Sequence, residues 1–190
     1  LNAGEIHIVE PGLQEAMTQA MATGRLHFSC KPEPADVFII AVQTPYRETD
    51  DGKRVSDMRF VESAAREVGS VLREGNLCVL ESTSPPGSTR QVEAIVSEVS
   101  GIAPERFMTA HCPERIIPGR MLIELRENDR IIGSNRPESA QYAKSIYEKV
   151  VTKGTIRLTD DLTAEMCKLT ENTFRDINIA YANELSKVCD

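Results

Sequence analysis

Short apolar runs and longer stretches of helical periodicity alternate along the chain. Apolar residues spaced three and four apart predict helices at residues 13–22, 57–72, 88–99, 137–150 and 162–188. Short apolar runs between them predict strands at residues 26–30, 37–42, 77–80, 107–110, 130–132 and 155–158. Alternating strands and helices are typical of an α/β protein, in which right-handed crossovers build a parallel sheet with helices on both faces.

Two segments carry more specific expectations. The run Ala-Asp-Val-Phe-Ile-Ile-Ala-Val at residues 35–42 is almost entirely apolar, which is typical of a parallel strand covered on both faces. Asp-Asp-Gly at residues 50–52 predicts a loop, after which Ser56 or Asp57 is expected to cap the next helix.

The last predicted helix, residues 162–188, contains neither Pro nor Gly. A helix of that length in so small a protein is typical of a connecting or interface element. We therefore expect two parts, an α/β domain at residues 1–158 and the start of a helical domain at residues 159–190.

Composition narrows the classes of protein. The net charge is −7, and the 22 basic residues are scattered, which argues against a nucleic-acid partner. The sequence has no apolar run near the ~18 residues that a membrane span requires and no leader-like start, so we expect a cytoplasmic protein.

The cysteines and histidines do not form a ligand pattern. The five cysteines are widely spaced, without a Cys-x-x-Cys pair: Cys30, Cys78, Cys112, Cys167 and Cys189. We expect Cys30 and Cys78 to be buried in strands. His7, His27 and His111 lack metal-ligand spacing, the first two being expected at the surface or in loops. No metal site is predicted.

Polar turns follow three of the predicted strands, at residues 42–45, 81–88 and 111–119. Each offers hydroxyl or charged groups between Pro and Gly. Because the carboxyl ends of parallel strands meet at one edge of the sheet, these turns are expected to lie together and could hold a polar ligand. Ordinary loop chemistry explains each turn equally well.

Lys168, Asn172 and Arg175 lie at i, i+4 and i+7 of the last helix and share one face. A solvated helix face is one interpretation. The other is that this face lines a cleft, because the opposite stripe is already apolar.

Four motifs together resemble the UDP-glucose/UDP-N-acetylmannosamine dehydrogenase family in order and spacing, over essentially the whole chain. They are Val-x-Thr-Pro at 42–45, Glu-Ser-Thr-Ser-Pro-Pro-Gly-Ser at 81–88, Cys-Pro-Glu-Arg-x-x-Pro-Gly at 112–119 and Ala-Glu-Met-Cys-Lys-Leu-Thr-Glu-Asn-Thr-Phe-Arg at 164–175. The Cys-Pro-Glu-Arg form, Pro118 and residues 172–178 resemble the UDP-N-acetyl-D-mannosamine branch more than the UDP-glucose branch, where Asn-Pro-Glu-Phe is usual.

The resemblance implies an enzyme that oxidises the C6 hydroxyl of a UDP-sugar to the uronate by two hydride transfers to NAD, through an aldehyde and a thioester. It implies a Rossmann-like NAD-binding domain over residues 1–158, followed by a helix that forms a homodimer or higher oligomer, and a role in polysaccharide biosynthesis. Thr44 and Thr83 match positions that contact NAD. Glu114, Arg115 and Ile116 match the loop that touches the sugar nucleotide.

The same resemblance assigns roles on the last helix. Lys168 matches the catalytic lysine, whose ammonium stabilises the oxyanion developing at C6. Asn172 matches a residue that orients the reacting group, and Arg175 one that binds substrate. Together with Glu114, Lys168 and Asn172 are the predicted catalytic residues.

Two family features are missing from the sequence. No Gly-x-Gly-x-x-Gly loop is present, and we expect that loop to precede Leu1, which would leave the Rossmann-like sheet incomplete. None of the five cysteines occupies the position of the family's nucleophile. We therefore expect the 190-residue chain alone to be inactive.

Other functions remain open from the sequence. A UDP-glucose or UDP-N-acetylglucosamine 6-dehydrogenase would carry the same motifs. A hydroxyacid dehydrogenase related to the 6-phosphogluconate group would also place Lys and Asn at i, i+4 on a long helix. A non-catalytic dimerisation scaffold would need only the apolar stripe.

Overall fold

The computed structural model describes residues 4–189. Its helices are α1 (Leu13–Ala22), α2 (Arg59–Gly69), α3 (Ser88–Ser100), α4 (Met121–Glu127), α5 (Pro137–Tyr147) and α6 (Asp161–Cys189). Its strands are β1 (Val37–Ile40), β2 (Tyr46–Glu48), β3 (Arg54–Ser56), β4 (Leu77–Leu80), β5 (Met108–His111), β6 (Arg130–Gly133) and β7 (Ile156–Thr159). The α/β class predicted from the sequence is confirmed.

The main sheet has the order β1-β4-β5-β6-β7. Strands β1, β4 and β5 are parallel, and β6 and β7 are parallel to each other. However, β5 and β6 pair antiparallel through His111 and Gly133, so the predicted parallel sheet is confirmed for most of its strand pairs and departs from the prediction at this one. The connection between β5 and β6 contains α4 and returns the chain to the same edge of the sheet at which β5 ends. Because β6 starts from that edge, it runs in the direction opposite to β5.

Helices cover both faces of this sheet, as predicted. On one face, α2 and α3 pack on side chains that include Phe38, Ile40, Cys78, Leu80 and Phe107. On the other face, α5 packs on side chains that include Leu77, Val79, Ala110 and Ile132. The strand residues alternate between the two cores, as the pleat of a sheet requires.

Two expectations near the start of the chain are wrong. Residues 26–30 form no strand and Cys30 is exposed, because within residues 4–189 no strand pairs with this segment. Strand β1 is not covered on both faces, since Ile39 is 50% exposed. Helix α5 lies over β4 to β7 and leaves that face of β1 open. Cys78, in the middle of the sheet, is buried as expected.

Two short elements, the hairpin of β2 and β3 and helix α4, were not predicted from the sequence. The predicted loop at residues 50–52 is the turn of an antiparallel hairpin formed by β2 and β3, whose side chains are all exposed and therefore lack an apolar signal. Helix α4 follows the turn at residues 111–119. Helix α2 begins at Arg59 rather than residue 57, although Asp57 accepts a hydrogen bond from the Arg59 backbone N–H at 3.2 Å.

The long last helix is confirmed. The first turns of α6 pack against β5 and β6, whereas its side chains from Asn172 onward are exposed. None of the helices in residues 4–189 has the length and apolar character needed to cross a membrane.

Candidate active site

The turns after β1 and β4 lie against each other at the carboxyl edge of the sheet. Thr44 Oγ1 donates a hydrogen bond to the Thr83 carbonyl at 2.7 Å. Ser82 Oγ donates to the Val42 carbonyl at 2.7 Å. The predicted clustering of these two turns is therefore confirmed, and both threonines lie at the contact.

The third turn and α6 meet the first two around one cavity of about 250 Å³. Its lining residues are Ala41, Val42, Glu81, Ser82, Thr83, Glu114 and Lys168. Three of the residues singled out in the sequence, Thr83, Glu114 and Lys168, are thus brought together from the turn after β4, the loop after β5 and α6. The site combines a hydroxyl, a carboxylate and an ammonium at the end of parallel strands.

Lys168 is half-buried, and burial lowers the pKa of its ammonium. The carboxylates of Glu114 and Glu171 oppose this shift, whereas Arg175 and Arg115 add to it. Lys168 makes no ion pair with any residue in the range 4–189. Its ammonium hydrogens are therefore free of a charged protein partner and can bind an oxygen of a ligand.

Asn172 and Arg175 share the face of Lys168 but lie farther along α6, and both are exposed. Arg175 lines a second cavity, of about 420 Å³, together with Arg115 and Glu171. Asn172 lines none of the described cavities. The structure thus brings Lys168 to Thr83 and Glu114, whereas Asn172 and Arg175 lie outside this cavity with their side chains exposed.

Residues 114–116 are held by several hydrogen bonds. The Glu114 carboxylate accepts a bond from the Ile116 backbone N–H. Arg115 donates to Glu171 on α6, with Nη2 2.8 Å from Oε1. Glu10, a buried residue that sequence reasoning missed, accepts from the backbone N–H groups of Gly119 and Met121 at 2.8 and 2.7 Å. The loop is thereby tied to both the start of the chain and the long helix.

Two acidic residues at the start of α6 fix the helix on α3, and the sequence analysis overlooked them. The fully buried Glu165 accepts hydrogen bonds from the backbone N–H groups of Gly87 and Thr89 at 2.6 and 2.7 Å, at the N-terminus of α3. Asp161 pairs with Arg90 at 2.7 Å. Their i, i+4 spacing places both carboxylates on one helix face, and that spacing was the available signal.

A cluster of three polar side chains, Arg130, Glu81 and Tyr147, lies next to the cavity and shares Glu81 with it. Arg130 is 3% exposed, lies 3.8 Å from the Glu81 carboxylate and has its guanidinium 5.8 Å from the Tyr147 ring centre. The Tyr147 hydroxyl donates to Glu81 at 3.1 Å. Burial raises the pKa of Glu81, while Arg130 and Tyr147 counteract this shift and Glu114 adds to it. Sequence reasoning did not find this cluster, because its three members lie in three separate parts of the chain, namely β6, α5 and the turn after β4.

The remaining histidines and cysteines do not extend the site. His111 is fully buried at the end of β5, and burial lowers its pKa to about 4, so the ring is neutral near pH 7. His7 and His27 are exposed, as expected. Burial raises the pKa of both Cys78 and Cys112 to about 12, which keeps these thiols protonated. The part of the chain that the structure describes contains no cluster of three or more potential metal ligands.

Comparison with known proteins assigns the chain to a family. The NAD-binding domain of the UDP-glucose/GDP-mannose dehydrogenase family matches residues 1–151, and the central domain of the same family matches residues 162–190. The chain belongs to the UDP-glucose/GDP-mannose dehydrogenase family.

Individual relatives agree with this assignment. An NDP-N-acetyl-D-galactosaminuronic acid dehydrogenase from Ralstonia solanacearum is 48% identical, and a UDP-N-acetyl-D-mannosamine dehydrogenase from Yersinia pestis is 45% identical. Each alignment covers 100% of this chain but 46% of the relative, so the chain spans just under half their length. The structure of a UDP-D-ManNAc dehydrogenase from Pyrococcus horikoshii superimposes with a TM-score of 0.89 and 41% identity, over 96% of this chain and 43% of that one.

Proposed function

We propose that this chain is part of an NAD-dependent 6-dehydrogenase that oxidises the C6 hydroxymethyl group of UDP-N-acetyl-D-mannosamine to a carboxylate. The observation that carries the proposal is the meeting of Thr83, Glu114 and Lys168 around one cavity at the carboxyl edge of the sheet. The 45% identity to a UDP-N-acetyl-D-mannosamine dehydrogenase along the whole chain supports the choice of substrate.

NAD is the proposed cofactor, and two NAD molecules would be used, each accepting one hydride. The residues of this chain fit one part of NAD, a flat ring. At the ends of β1 and β4 the cavity is lined by small side chains, so a flat ring can approach the backbone there. Thr83 and Thr44 are the proposed contacts, the Thr44 hydroxyl holding the backbone of Thr83 in place. We assign no residue of this chain to the NAD pyrophosphate.

Lys168 and Glu114 are the proposed catalytic pair, with Asn172. The Lys168 ammonium would donate a hydrogen bond to the oxygen on C6 as negative charge develops there, which lowers the barrier to hydride loss. The Glu114 carboxylate opposes the loss of the proton from Lys168 and can accept a proton from the C6 hydroxyl or from water. Asn172 would orient the reacting group from the next turn of α6.

Substrate binding is proposed for the adjoining surface. Ile116 and the backbone of its loop would lie along the sugar nucleotide, and Arg175 would bind its diphosphate. Arg175 suits that role because it is exposed and forms no ion pair with residues 4–189.

Assembly and location are proposals as well. Large apolar side chains on the second half of α6 are exposed, namely Phe174 (70%), Ile177 (62%), Tyr181 (68%) and Val188 (82%). Such a stripe supports a homodimer or higher oligomer formed through this helix. We assign residues 1–158 to the NAD-binding domain and residues 159–190 to the start of the dimerisation domain, in a cytoplasmic enzyme of polysaccharide biosynthesis.

A second sugar deserves testing because the Ralstonia relative, at 48% identity, is described as acting on an N-acetyl-D-galactosaminuronic acid nucleotide. The two sugars differ in the configuration of ring hydroxyl and acetamido groups. The competing substrate is therefore the UDP-N-acetylgalactosamine-type diastereomer.

The deciding experiment is NAD reduction by the complete enzyme that carries this chain, offered each UDP-sugar separately. We expect two NADH per UDP-N-acetyl-D-mannosamine, and loss of at least ~100-fold in kcat for Lys168→Ala because the oxyanion loses its donor. Lys187→Ala, an exposed lysine on the same helix, is the matched control. One NADH per sugar would indicate a hydroxyacid-type reaction, and none with any sugar would indicate a scaffold.

A further inference from the structure

Every nitrogen of the Arg115 guanidinium already has an acceptor within the protein. Its Nε and Nη2 donate to the two carboxylate oxygens of Glu171 at 3.1 and 2.8 Å, and its Nη1 donates to the Asp129 carbonyl at 3.1 Å. All three guanidinium nitrogens therefore have protein acceptors. Both side chains are about one-third exposed, 34% for Arg115 and 32% for Glu171. A forked pair of this kind fixes the direction of both side chains.

The positions of these two residues give the pair a consequence for the site. Arg115 follows Glu114 in the loop, and Glu171 lies three residues after Lys168 on α6, one helical turn away. The ion pair thus joins the residue next to Glu114 to the helical turn that follows Lys168. Movement of the loop away from α6 would break the pair and separate Glu114 from Lys168.

The neighbouring Arg175 provides a contrast. It lines the same outer cavity as Arg115 and Glu171 but has no carboxylate partner within residues 4–189. Of the two arginines, Arg175 has both edges of its guanidinium free of a carboxylate from the described residues, whereas the Nε–Nη2 edge of Arg115 is occupied by Glu171. Arg175 is therefore suited to binding a phosphate, and Arg115 to holding the loop on α6.

We propose that Arg115 and Glu171 form a latch that presents Glu114 to Lys168, so that both act as positioning residues of the site rather than as ligands of the sugar nucleotide. This inference rests on the proposed function for its catalytic consequence. Its structural content, a loop held on α6 by one charge pair, is independent of which sugar is oxidised.

Charge reversal tests the latch in the complete enzyme. Arg115→Glu and Glu171→Arg alone each place like charges together, and we expect each to lower kcat/KM by roughly tenfold or more, mainly through kcat, because Glu114 is displaced. The double variant restores an opposite pair in reversed order and should recover to within about threefold of the unmodified enzyme. Exchange of the exposed Glu184–Lys187 pair on the same helix is the matched control, with no expected effect.

Amide hydrogen exchange of residues 114–119 in this chain provides a readout that needs no turnover. Each single variant should exchange faster in that loop, and the double variant should regain protection. A double variant as inactive and as unprotected as the singles would overturn the latch, since a substrate ligand at Arg115 cannot be replaced by a glutamate. If the unmodified enzyme reduced no NAD with any UDP-sugar, the proposed function would fail while the exchange result still decided the latch.

Discussion

At the scale of single residues, the proposed function depends on an ammonium held in a half-buried position. Burial lowers the pKa of Lys168, and the Glu114 carboxylate is the main charge that opposes this shift. An ammonium that stabilises an oxyanion must be protonated, so the neighbouring carboxylate extends the pH range in which Lys168 can act. Glu114 therefore has an electrostatic role besides any direct contact with substrate.

This role predicts a change in pH dependence for Glu114→Gln. Removing a nearby negative charge destabilises the charged form of Lys168, so its pKa falls further. The alkaline limb of the kcat/KM profile of the complete enzyme should move to lower pH, whatever the change in absolute rate. Glu184→Gln, on the exposed end of the same helix, should leave that limb in place. A limb that stays put or moves to higher pH in Glu114→Gln would contradict the assignment.

At the scale of secondary-structure elements, the decisive contact is α6 on α3. Glu165 binds two backbone N–H groups at the N-terminus of α3 and also accepts from the Thr89 hydroxyl at 2.6 Å. The contact joins the turn that contains Thr83 to the helix that contains Lys168, one turn beyond Glu165. The relative position of those two site residues therefore depends on a carboxylate that touches neither of them.

Glu165→Gln should destabilise the fold. A glutamine amide presents N–H groups to at least one of these donors, leaving a buried backbone N–H without an acceptor, at a cost of about 1–3 kcal/mol. Thermal or urea unfolding of this chain measures the change, with Glu184→Gln as the exposed control. Equal stability of the two variants would mean that the helix contact is held by apolar packing alone.

At the scale of the whole molecule, α6 approaches the sheet closely at one point. Gly133, at the end of β6, lies beneath the start of this helix, and an added Cβ would collide with the Asp160 carbonyl and lie 2.6 Å from the Ala164 Cβ. The absence of a side chain thus permits the approach. Gly133 also forms the bridge to His111 by which the two halves of the mixed sheet are joined.

Gly133→Ala should push α6 away from the sheet. We expect a loss of about 1–3 kcal/mol in the free energy of unfolding, typical of overpacking in a core. In the complete enzyme kcat should fall as well, because Lys168 moves with the helix. Ser145→Ala, an exposed substitution on α5, controls for mutation as such. A Gly133→Ala variant with unchanged stability and unchanged kcat would show that the helix can shift without consequence.

Much of the architecture could be read from local patterns. Helices α3, α5 and α6 and strands β4 and β7 were predicted nearly to their ends, because apolar stripes and runs are local signals whether or not the structure buries them. The turns that contain Thr83 and Glu114 were predicted because each follows a recognisable strand, and Lys168 was noticed because it shares a helix face with Asn172 and Arg175. The roles of these residues came from the family resemblance. The hairpin of β2 and β3 was missed, because its exposed side chains carry no such signal.

What the sequence determined by itself was therefore the class of fold, the long helix and the residue types at the strand ends. The tertiary structure alone decided the direction of β6, the absence of a strand at residues 26–30 and the partners of Glu165, Arg115 and Glu81. Each of these depends on backbone or charged groups that are distant in sequence. Periodicity reports which face of an element is buried, but not which distant group satisfies a buried N–H or carboxylate.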